Sequence, residues 1–556
     1  MLMSNRATNG IKHMKVQKTM TKKTFIFLAF TIALMHIMLV IFFGMQKQGF
    51  HEDEYYTYWS STNASALTIR SNYTWLSGYD LMSRFFVHNG ERFGFATVVR
   101  NQVEDVHPPL YYITLNIFMS IFAGCFYKWF GILLNLLYSL ISYVGIVLLF
   151  YRMDHSKTRY LLALLAGLSF TVAPSSISNC MLTRMYAMSA MWTVIFANIF
   201  LLLVQNYDCS WRKFWKLLAA GDVVCYLSFL THYFTLLVPF CLMLFYCIYA
   251  VCRRKGIVKM LICGCSMLAA IGLAVLTYPA CLEHIFRGYR GTAALSSLLS
   301  NGIMGLMEFF LPILNQYVFA GMMWFLVILT GLCLVVGVVV LFLKNRKHKG
   351  EFSASVVKFY PLTALVCSCI WGIWFLSRTA LVVGGPSSRY FYPVIVLVFP
   401  VITFSVAKLL CCLPVEKKGN MWKKIFDIIL TVLVVIPAIA GYQQDNVLFL
   451  YREEAEKIAF SQEYSEYPAV MVFSADVPYR GWYTEDQLWP FQEVFYGDYD
   501  HLMLEFEDEK LFTAEKLVVF MDCPTNVLDK LIEVNPNLSS YSLARHDPFF
   551  YVYLVE

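Results

Sequence analysis

Long apolar segments decide the fold, and the first of them is residues 24–45, TFIFLAFTIALMHIMLVIFFGM. A helix of about 20 apolar residues is long enough to cross the hydrocarbon core of a bilayer. No small-residue cleavage site follows this segment. It therefore predicts an uncleaved membrane anchor rather than a secretion signal.

Similar apolar segments recur along most of the chain. Of its 556 residues, 58% are hydrophobic and only 15% are charged, and the mean hydropathy is +0.57. Soluble domains carry about 25% charged residues. A soluble core could not bury this much apolar surface, and the same composition excludes a disordered chain. The chain is therefore predicted to be a multi-pass integral membrane protein of the cell membrane.

Basic residues form clusters between the apolar segments. The first span follows Lys12, Lys15, Lys18, Lys22 and Lys23. The later clusters are Arg152/Lys157/Arg159, Arg212/Lys213/Lys216, Arg253/Arg254/Lys255/Lys259, Lys344/Arg346/Lys347/Lys349 and Lys417/Lys418/Lys423/Lys424. Cytoplasmic loops are rich in Lys and Arg, so these clusters are expected to face the cytoplasm, and they need no nucleic acid to explain them.

If every basic cluster faces the cytoplasm, an even number of spans separates each pair of neighbours. This rule predicts 11 spans, with the N-terminus inside and the C-terminus outside. Besides the first span, they lie near 130–150, 160–180, 185–205, 216–231, 233–251, 259–280, 317–343, 358–377, 391–412 and 424–442. Residues 109–124, which open with Pro108-Pro109, are then a helix at or dipping into the outer face. The alternative is 12 spans, with one basic loop or the C-terminal segment on the wrong side.

The charge balance changes sharply near residue 443. Residues 1–442 carry 37 Lys/Arg and 15 Asp/Glu, whereas residues 443–556 carry 7 and 22. Such an asymmetry marks a domain boundary. We predict an all-α polytopic membrane domain in residues 1–442 and a small extracytoplasmic α/β domain in residues 443–556. Its predicted strands are Ala469–Phe473, Leu517–Phe520 and Phe550–Val555, and its predicted helix is Asn526–Glu533.

Chemistry-bearing residues gather in the outer loop, residues 46–129. The loop begins with His51-Glu52-Asp53-Glu54-Tyr55-Tyr56 and later contains Glu104-Asp105-Val106-His107-Pro108-Pro109. Aromatic residues mixed with arginines lie between the two motifs, as in helices of the membrane interface. Such a loop can bring several acids over one site at the membrane surface. A solvated, charged membrane border is the structural alternative.

Five motifs in this order resemble the GT-C superfamily of membrane glycosyltransferases, which use lipid-phosphate sugars. The nearest branch is the protein-O-mannosyltransferase and aminoarabinose-transferase type, similar to glycosyltransferase family 39. The motifs are Asp53-Glu54-Tyr55-Tyr56, His107-Pro108-Pro109-Leu110-Tyr111, Arg184-Met185-Tyr186, His232-Tyr233 and Arg389-Tyr390-Phe391-Tyr392-Pro393. The predicted topology puts all five outside. The resemblance covers roughly residues 24–442 and implies a GT-C-like fold there.

The resemblance implies an inverting transfer of a sugar from a polyprenyl-phosphate donor to a protein, glycolipid or cell-wall polymer. It gives the role of catalytic base to Asp53, the first acid of the pair. Glu54 is the second candidate, as base or as the group that orients the acceptor. Glu52 departs from the family pattern, so which of the three acids is the base stays open. Packed acids near a low-dielectric surface are expected to have raised pKa values, which suits a base near neutral pH.

The leaving lipid phosphate needs a cation, and arginine offers planar bidentate contacts to phosphate. Arg389 and Arg184 are the candidates for this contact, and Arg287, Arg290 and Arg378 are alternatives. Simple snorkelling at a span end is the structural explanation for each arginine. The other predicted substrate-binding residues are His107, Tyr186, His232, Tyr233, Asp105 and Tyr390.

No cofactor and no metal are predicted. Some GT-C members use a divalent cation with outer-loop acids, so Asp105 and Asp53 could share one, but the branch that the chain resembles generally does not. The expected partners are the lipid bilayer, the sugar donor and the acceptor. The competing hypothesis is a transporter or lipid flippase, and a third is a non-catalytic scaffold or receptor. The acids gather at the outer surface rather than within the apolar runs, which favours the enzyme.

Overall fold

A computed structural model describes residues 20–62, 75–253, 256–300, 306–345, 352–380, 384–412, 420–474, 478–498, 509–522 and 526–556. The basic residues Lys12, Lys15, Lys18, Arg254, Lys255, Arg346, Lys347, Lys349, Lys417 and Lys418 lie outside the described residues. The described chain consists of a large helical part, followed by a smaller part built around one β-sheet.

Helices joined by short turns form the large part. The first ten are α1 (Lys22–Gln46), α2 (Glu52–Thr62), α3 (Gly78–Ser83), α4 (Phe95–Glu104), α5 (Leu110–Ile121), α6 (Trp129–Met153), α7 (Arg159–Thr171), α8 (Pro174–Met181), α9 (Tyr186–Gln205) and α10 (Trp211–Thr231). The next nine are α11 (Leu237–Arg253), α12 (Ile257–Thr277), α13 (Ala280–Phe286), α14 (Tyr289–Ser300), α15 (Met307–Tyr317), α16 (Met323–Asn345), α17 (Phe352–Thr379), α18 (Tyr392–Cys412) and α19 (Asn420–Gln443). Short 3-10 helices lie at Asn89–Glu91, Tyr233–Leu236 and Gly385–Phe391.

A helix is present at each of the 11 predicted spans. Among the described residues, eight helices are long and apolar enough to cross a membrane, and the count rises to nine if α7 and α8 together form one bent span. The other two are α16 and α19, whose described apolar stretches, Met323–Leu332 and Ile428–Gln443, are shorter. The polytopic helical fold is therefore confirmed, whereas the direction in which each terminus faces stays a prediction.

The span predicted at 160–180 is not one straight helix. It consists of α7 and α8, which meet at an angle of 52°. Pro174 is the first residue of α8, and because proline has no N–H it cannot continue the hydrogen-bond ladder of α7. The break matters because α8 leads into the turn that carries Arg184.

Residues 109–124 form the short helix that the sequence predicts. Helix α5 has 12 residues, so at about 1.5 Å per residue it is roughly 18 Å long. A span needs about 30 Å. Helix α5 packs against α2 and α6, and its start carries the His107-Pro108-Pro109 motif into the outer loop.

The smaller part has a six-stranded sheet in the order β1-β3-β2-β4-β6-β5. The strands are β1 (Trp75–Leu76), β2 (Ala469–Phe473), β3 (Val494–Asp498), β4 (Leu517–Met521), β5 (Tyr541–His546) and β6 (Tyr551–Val555). Its helices are α20 (Glu454–Glu463), α21 (Glu485–Leu488), α22 (Glu509–Thr513) and α23 (Asn526–Val534), with a 3-10 helix at Pro478–Thr484. The three central strands, β3, β2 and β4, are parallel, and the other pairs are antiparallel. The mixed α/β architecture of the C-terminal part is as predicted.

The sheet also joins the C-terminal part to the first outer loop. Strand β1 belongs to that loop, and Trp75 pairs with Phe495 of β3. Gln48 N donates to Leu450 O at 2.8 Å, close to the end of α1. The two parts thus share backbone hydrogen bonds, and the C-terminal part helps to hold the loop that carries the acids.

Candidate active site

The acids of the first motif form the first turn of α2. Glu52, Asp53 and Glu54 are its first three residues, where the positive end of the helix dipole favours negative charge. The backbone N–H of Asp53 donates to Nδ1 of His51 at 3.0 Å, which satisfies one of the free N–H groups at the helix start. The sequence thus fixes the acids on one short, rigid element.

Two arginines converge on Asp53. Arg184 Nη2 lies 3.3 Å from Oδ1, and Arg389 Nη2 lies 3.0 Å from Oδ2. Both arginine side chains are buried, whereas Asp53 is partly exposed. Residues that are more than 300 positions apart in the sequence thus meet at one carboxylate.

The charge of these arginines shifts the pKa of Asp53 in the direction opposite to the predicted one. Burial by itself favours the neutral acid, but Arg184 and Arg389, followed by the nearby His51 and His107, outweigh it and hold this pKa well below its usual range. By contrast, burial raises the pKa of Glu52, with the charge of Asp53 adding to the effect. The predicted increase therefore holds for Glu52 and is wrong for Asp53, because two opposite charges lie within contact distance.

Each arginine has further partners that fix its position. Arg184 lies in the turn between α8 and α9, and its Nη1 donates to Thr57 Oγ1 and to Tyr112 Oη, each at 3.0 Å. Arg389 lies in the 3-10 helix before α18, where its Nη1 donates to Pro386 O at 3.1 Å. Its guanidinium group lies 4.8 Å from the ring centre of Tyr390. Snorkelling arginines would extend towards water, so these contacts favour the functional interpretation of both.

Glu54 lies in different surroundings from Asp53. Its side chain is fully buried, and Lys47 Nζ lies 2.8 Å from Oε2. The backbone N–H groups of His51 and Thr183 donate to its two oxygens at 2.9 and 2.8 Å. Lys47 also donates to Phe449 O at 2.8 Å. Glu54 therefore ties together α1, α2, the Arg184 turn and the C-terminal part, and its oxygens are already occupied.

The second motif forms a carboxylate–imidazole pair. His107 Nδ1 lies 3.0 Å from Asp105 Oδ2, and the rings of His107 and His232 lie 5.9 Å apart. Burial, followed by the charges of His107 and Arg184, lowers the pKa of His232 to about 3, so this imidazole is neutral at pH 7. On the far side, Tyr233 Oη lies 3.0 Å from His284 Nδ1.

A cavity of about 310 Å³ joins these groups. Of the ten predicted site residues, seven line it: Asp53, His107, Arg184, Tyr186, His232, Tyr233 and Tyr390. Asp105 and Arg389 do not line the cavity but contact residues that do. Glu54 neither lines it nor contacts its lining by an ion pair. The remaining wall is largely apolar and comes from α13, α14 and α17, with Phe286, Leu295, Leu298 and Phe375 among its residues.

Several site residues were missed or ranked low from the sequence. His284 and Arg290 line the cavity, although the sequence made Arg290 only an alternative phosphate contact and did not place His284 among the predicted site residues. Tyr112 contacts Arg184, and its position directly after the His-Pro-Pro-Leu-Tyr motif was the available signal. Lys47 follows the first span as a lone basic residue, and only the fold reveals its partner Glu54.

The same region contains possible metal ligands. The possible ligand atoms of His51, Glu52 and Asp53 lie within 4.8 Å of one another. However, both oxygens of Asp53 already face guanidinium groups, and two fixed positive charges oppose the binding of a cation there. The donor set therefore fits a divalent cation poorly.

No protein-family model and no curated protein matches this chain. Among solved structures, the chain is similar to ArnT from Cupriavidus metallidurans bound to undecaprenyl phosphate, with 14% identity, a TM-score of 0.52 and coverage of 96% of this chain and 98% of ArnT. The apo state of the same ArnT gives 15% identity, a TM-score of 0.43 and coverage of 90% and 95%.

A third similar structure is the archaeal oligosaccharyltransferase AglB from Archaeoglobus fulgidus, in complex with an inhibitory peptide and a dolichol-phosphate. It gives 11% identity, a TM-score of 0.42 and coverage of 95% of this chain and 74% of AglB. At such low identity these likenesses show only a fold, and among them the ArnT complex has the TM-score above 0.5. This protein therefore has the fold of ArnT, as the resemblance of its motifs implied.

Proposed function

We propose that this protein is an inverting glycosyltransferase that moves a sugar from a polyprenyl-phosphate-linked donor to a hydroxyl acceptor at the outer face of the membrane. The acceptor is a protein, a glycolipid or a cell-wall polymer. The observation that carries the proposal is Asp53 in the cavity wall, with Arg184 and Arg389 at 3.3 and 3.0 Å from its two oxygens. ArnT, which has the same fold, binds undecaprenyl phosphate, and this supports a lipid-linked donor.

The cavity combines the two surfaces that a lipid phosphate requires. Arg184 and Arg290 supply positive charge to its lining, and Leu298 and Phe375 supply apolar surface. Guanidinium groups form strong charge-assisted hydrogen bonds with phosphate. In the proposed complex the phosphate lies beside the arginines, and the isoprenoid chain lies along the apolar wall.

Asp53 is the proposed carboxylate base. The acceptor hydroxyl donates to this carboxylate and loses its proton as its oxygen bonds to the anomeric carbon. The phosphate leaves from the opposite face with the bonding electrons, so the configuration at the anomeric carbon inverts. Since the arginines keep the pKa of Asp53 low, the carboxylate is ionised and able to accept this hydrogen bond at neutral pH.

The test is transfer of labelled sugar by the purified full-length protein in lipid nanodiscs. A panel of radiolabelled polyprenyl-phosphate hexoses and pentoses serves as donor, with peptide and glycolipid acceptors. We expect Asp53→Asn to reduce turnover by about 100-fold or more, the usual contribution of a general base. Arg389→Ala should reduce kcat/KM for the polyprenyl-phosphate donor. Glu104→Gln, an exposed acid in the same loop, is the matched control and should keep wild-type turnover.

Undiminished turnover in Asp53→Asn would refute the assignment of the base. Movement of intact lipid or of a solute, with no sugar transfer by the wild-type protein, would instead support a transporter or flippase.

A further inference from the structure

Asp53 is well placed to accept a proton but poorly suited to keep it. Its two oxygens face Arg184 and Arg389, and these positive charges stabilise the ionised carboxylate. Every turnover releases one proton from the acceptor hydroxyl. That proton must leave the carboxylate before the next acceptor binds, and a basic side chain in the same cavity can receive it.

The pair formed by Asp105 and His107 has the geometry of such a group. Asp105 Oδ2 lies 3.0 Å from Nδ1 of His107, which fixes the tautomer with the proton on Nδ1 and leaves Nε2 basic. The imidazole ring lines the same cavity as Asp53. Among the described residues, Nε2 has no hydrogen-bond partner. A base oriented by a carboxylate is a recurring arrangement in acid–base catalysis.

We infer that His107, oriented by Asp105, receives the proton of the acceptor hydroxyl by way of Asp53 and holds it during turnover. The inference rests on the proposed function and deepens it by assigning a second proton-accepting residue. The sequence makes His107 a candidate for substrate binding, by orienting an acid or by contacting the donor phosphate, and does not assign it a proton.

The acceptor O–H bond breaks while its oxygen forms the bond to the anomeric carbon, and the bond between that carbon and the phosphate oxygen breaks with its electrons going to the phosphate. The proton passes to Asp53 and then to Nε2 of His107. The resulting imidazolium is stabilised by ionised Asp105 until its proton is lost to solvent.

Burial makes His107 a neutral base before the reaction. Burial lowers the pKa of His107, Asp105 and Asp53 oppose this change, and Arg184 adds to it. His232 also faces the ring. For Asp105, burial favours the neutral acid, but the imidazole of His107 and then Arg184 hold its pKa below the usual range. At neutral pH the pair is therefore carboxylate and neutral imidazole, the state that can accept a proton.

The test of this inference removes the imidazole and supplies it again in solution. We expect His107→Ala to reduce kcat by about 100-fold or more while the KM for the polyprenyl-phosphate donor changes little. Added imidazole should restore turnover in a saturable way, because the vacated space borders the cavity. His155→Ala removes an exposed histidine outside the cavity lining and should neither lose activity nor respond to imidazole.

Asp105→Asn separates a proton-accepting role from a purely structural one. The wild-type rate should fall as the pH decreases through the pKa of His107, because the protonated ring cannot accept another proton. Loss of the carboxylate lowers that pKa further, so the acid limb of the rate profile should move to lower pH and the plateau should decrease. An unmoved acid limb in Asp105→Asn would overturn the inference.

Two other results would also overturn it. One is full kcat in His107→Ala, and the other is a loss that lies wholly in donor KM and is not rescued by imidazole. A measurement without turnover keeps the inference separate from the proposed function. In ¹⁵N-histidine NMR spectra, assigned with His107→Gln, His107 should carry its proton on Nδ1 and lose this preference in Asp105→Asn. A proton on Nε2 in the wild-type protein would contradict the inference even if no sugar donor is ever found.

Discussion

Asp53 and Glu54 are neighbours in the sequence, yet their carboxylates have different surroundings. Successive side chains on a helix point about 100° apart, so only one of the two acids can face the cavity. Asp53 meets Arg184 and Arg389, whereas Glu54 meets Lys47 and two backbone N–H groups. The motif alone predicts that acids gather here, but it does not determine which acid faces which partner.

The buried pair of Lys47 and Glu54 gives a prediction about stability. Lys47→Met removes the cation and leaves the carboxylate of Glu54 buried without its partner. Breaking a fully buried ion pair in this way costs about 3–5 kcal/mol, so the Tm of the purified protein should decrease. The double variant Lys47→Met/Glu54→Gln should regain part of the loss, because it leaves no unpaired charge. Additive losses in the double variant would contradict a direct coupling between the two side chains.

At the scale of elements, the start of α6 packs closely on the turn that carries Arg184. A methyl group added at Gly131 would overlap the side chain of Thr183, whose backbone N–H donates to Glu54. We expect Gly131→Ala to cost about 1–3 kcal/mol through overpacking and to reduce turnover by displacing Arg184.

Gly264 of α12 provides the matched control for Gly131. Open space surrounds the position where its Cβ would lie, so Gly264→Ala should keep full turnover and raise the stability by about 0.5–1 kcal/mol. Equal behaviour of the two variants in thermal unfolding and in sugar transfer would contradict the close packing at Gly131.

The helix α21 in the C-terminal part contains two buried acids that predict a pH dependence. Burial, followed by the charge of Glu454, raises the pKa of Asp486 to about 8, and burial raises that of Glu485 to about 7. In an unfolded chain such acids ionise near pH 4. The native state therefore binds more protons than the unfolded state between about pH 4 and pH 8, and its stability falls as the pH rises through this window.

The measurement for these acids is the Tm of the protein from pH 5 to pH 9, compared with the variant Glu485→Gln/Asp486→Asn. The variant keeps both side-chain shapes but cannot ionise, so its Tm should depend less on pH than that of the wild-type protein. Parallel curves for the two proteins would show that these carboxyl groups are not the source of the pH dependence.

Element prediction succeeded where the sequence pattern is local. The strands β2, β4 and β6 and the helix α23 are apolar runs that the sequence marks within a residue or two. Strand β1 was missed because it has only two residues, Trp75 and Leu76. Its partner β3 follows more than 400 residues later, so no local signal could reveal the pairing.

At the scale of the whole molecule, the predicted topology places the cavity and the C-terminal part outside the cell. The basic clusters then lie at the opposite ends of the helices, where Lys408 and Asp154 form an ion pair. A membrane-impermeant maleimide should label the exposed position Ser540→Cys on intact cells, and should label Lys157→Cys only after lysis. The background variant carries Cys252→Ser and Cys523→Ser. The reverse pattern would invert the topology.

The five motifs predicted much of the site, because motifs on the same side of the membrane can meet even when they are far apart in the chain. The rule that an even number of spans separates neighbouring basic clusters predicted that common side. Seven of the ten predicted residues line one cavity. The sequence could not show that two arginines share one carboxylate, because this contact depends on how α2, the α8–α9 turn and the start of α18 pack. It also could not show that α14 forms part of the apolar wall of the cavity, because the sequence of α14 resembles that of any other interfacial helix.

The most direct test is a cryo-electron-microscopy map of the full-length protein in nanodiscs with a polyprenyl-phosphate sugar. We expect headgroup density in the cavity, with the phosphate within hydrogen-bond distance of an arginine beside Asp53 and the isoprenoid chain along the wall formed by α14 and α17. Headgroup density at the opposite ends of the helices, or an empty cavity at saturating donor, would contradict it.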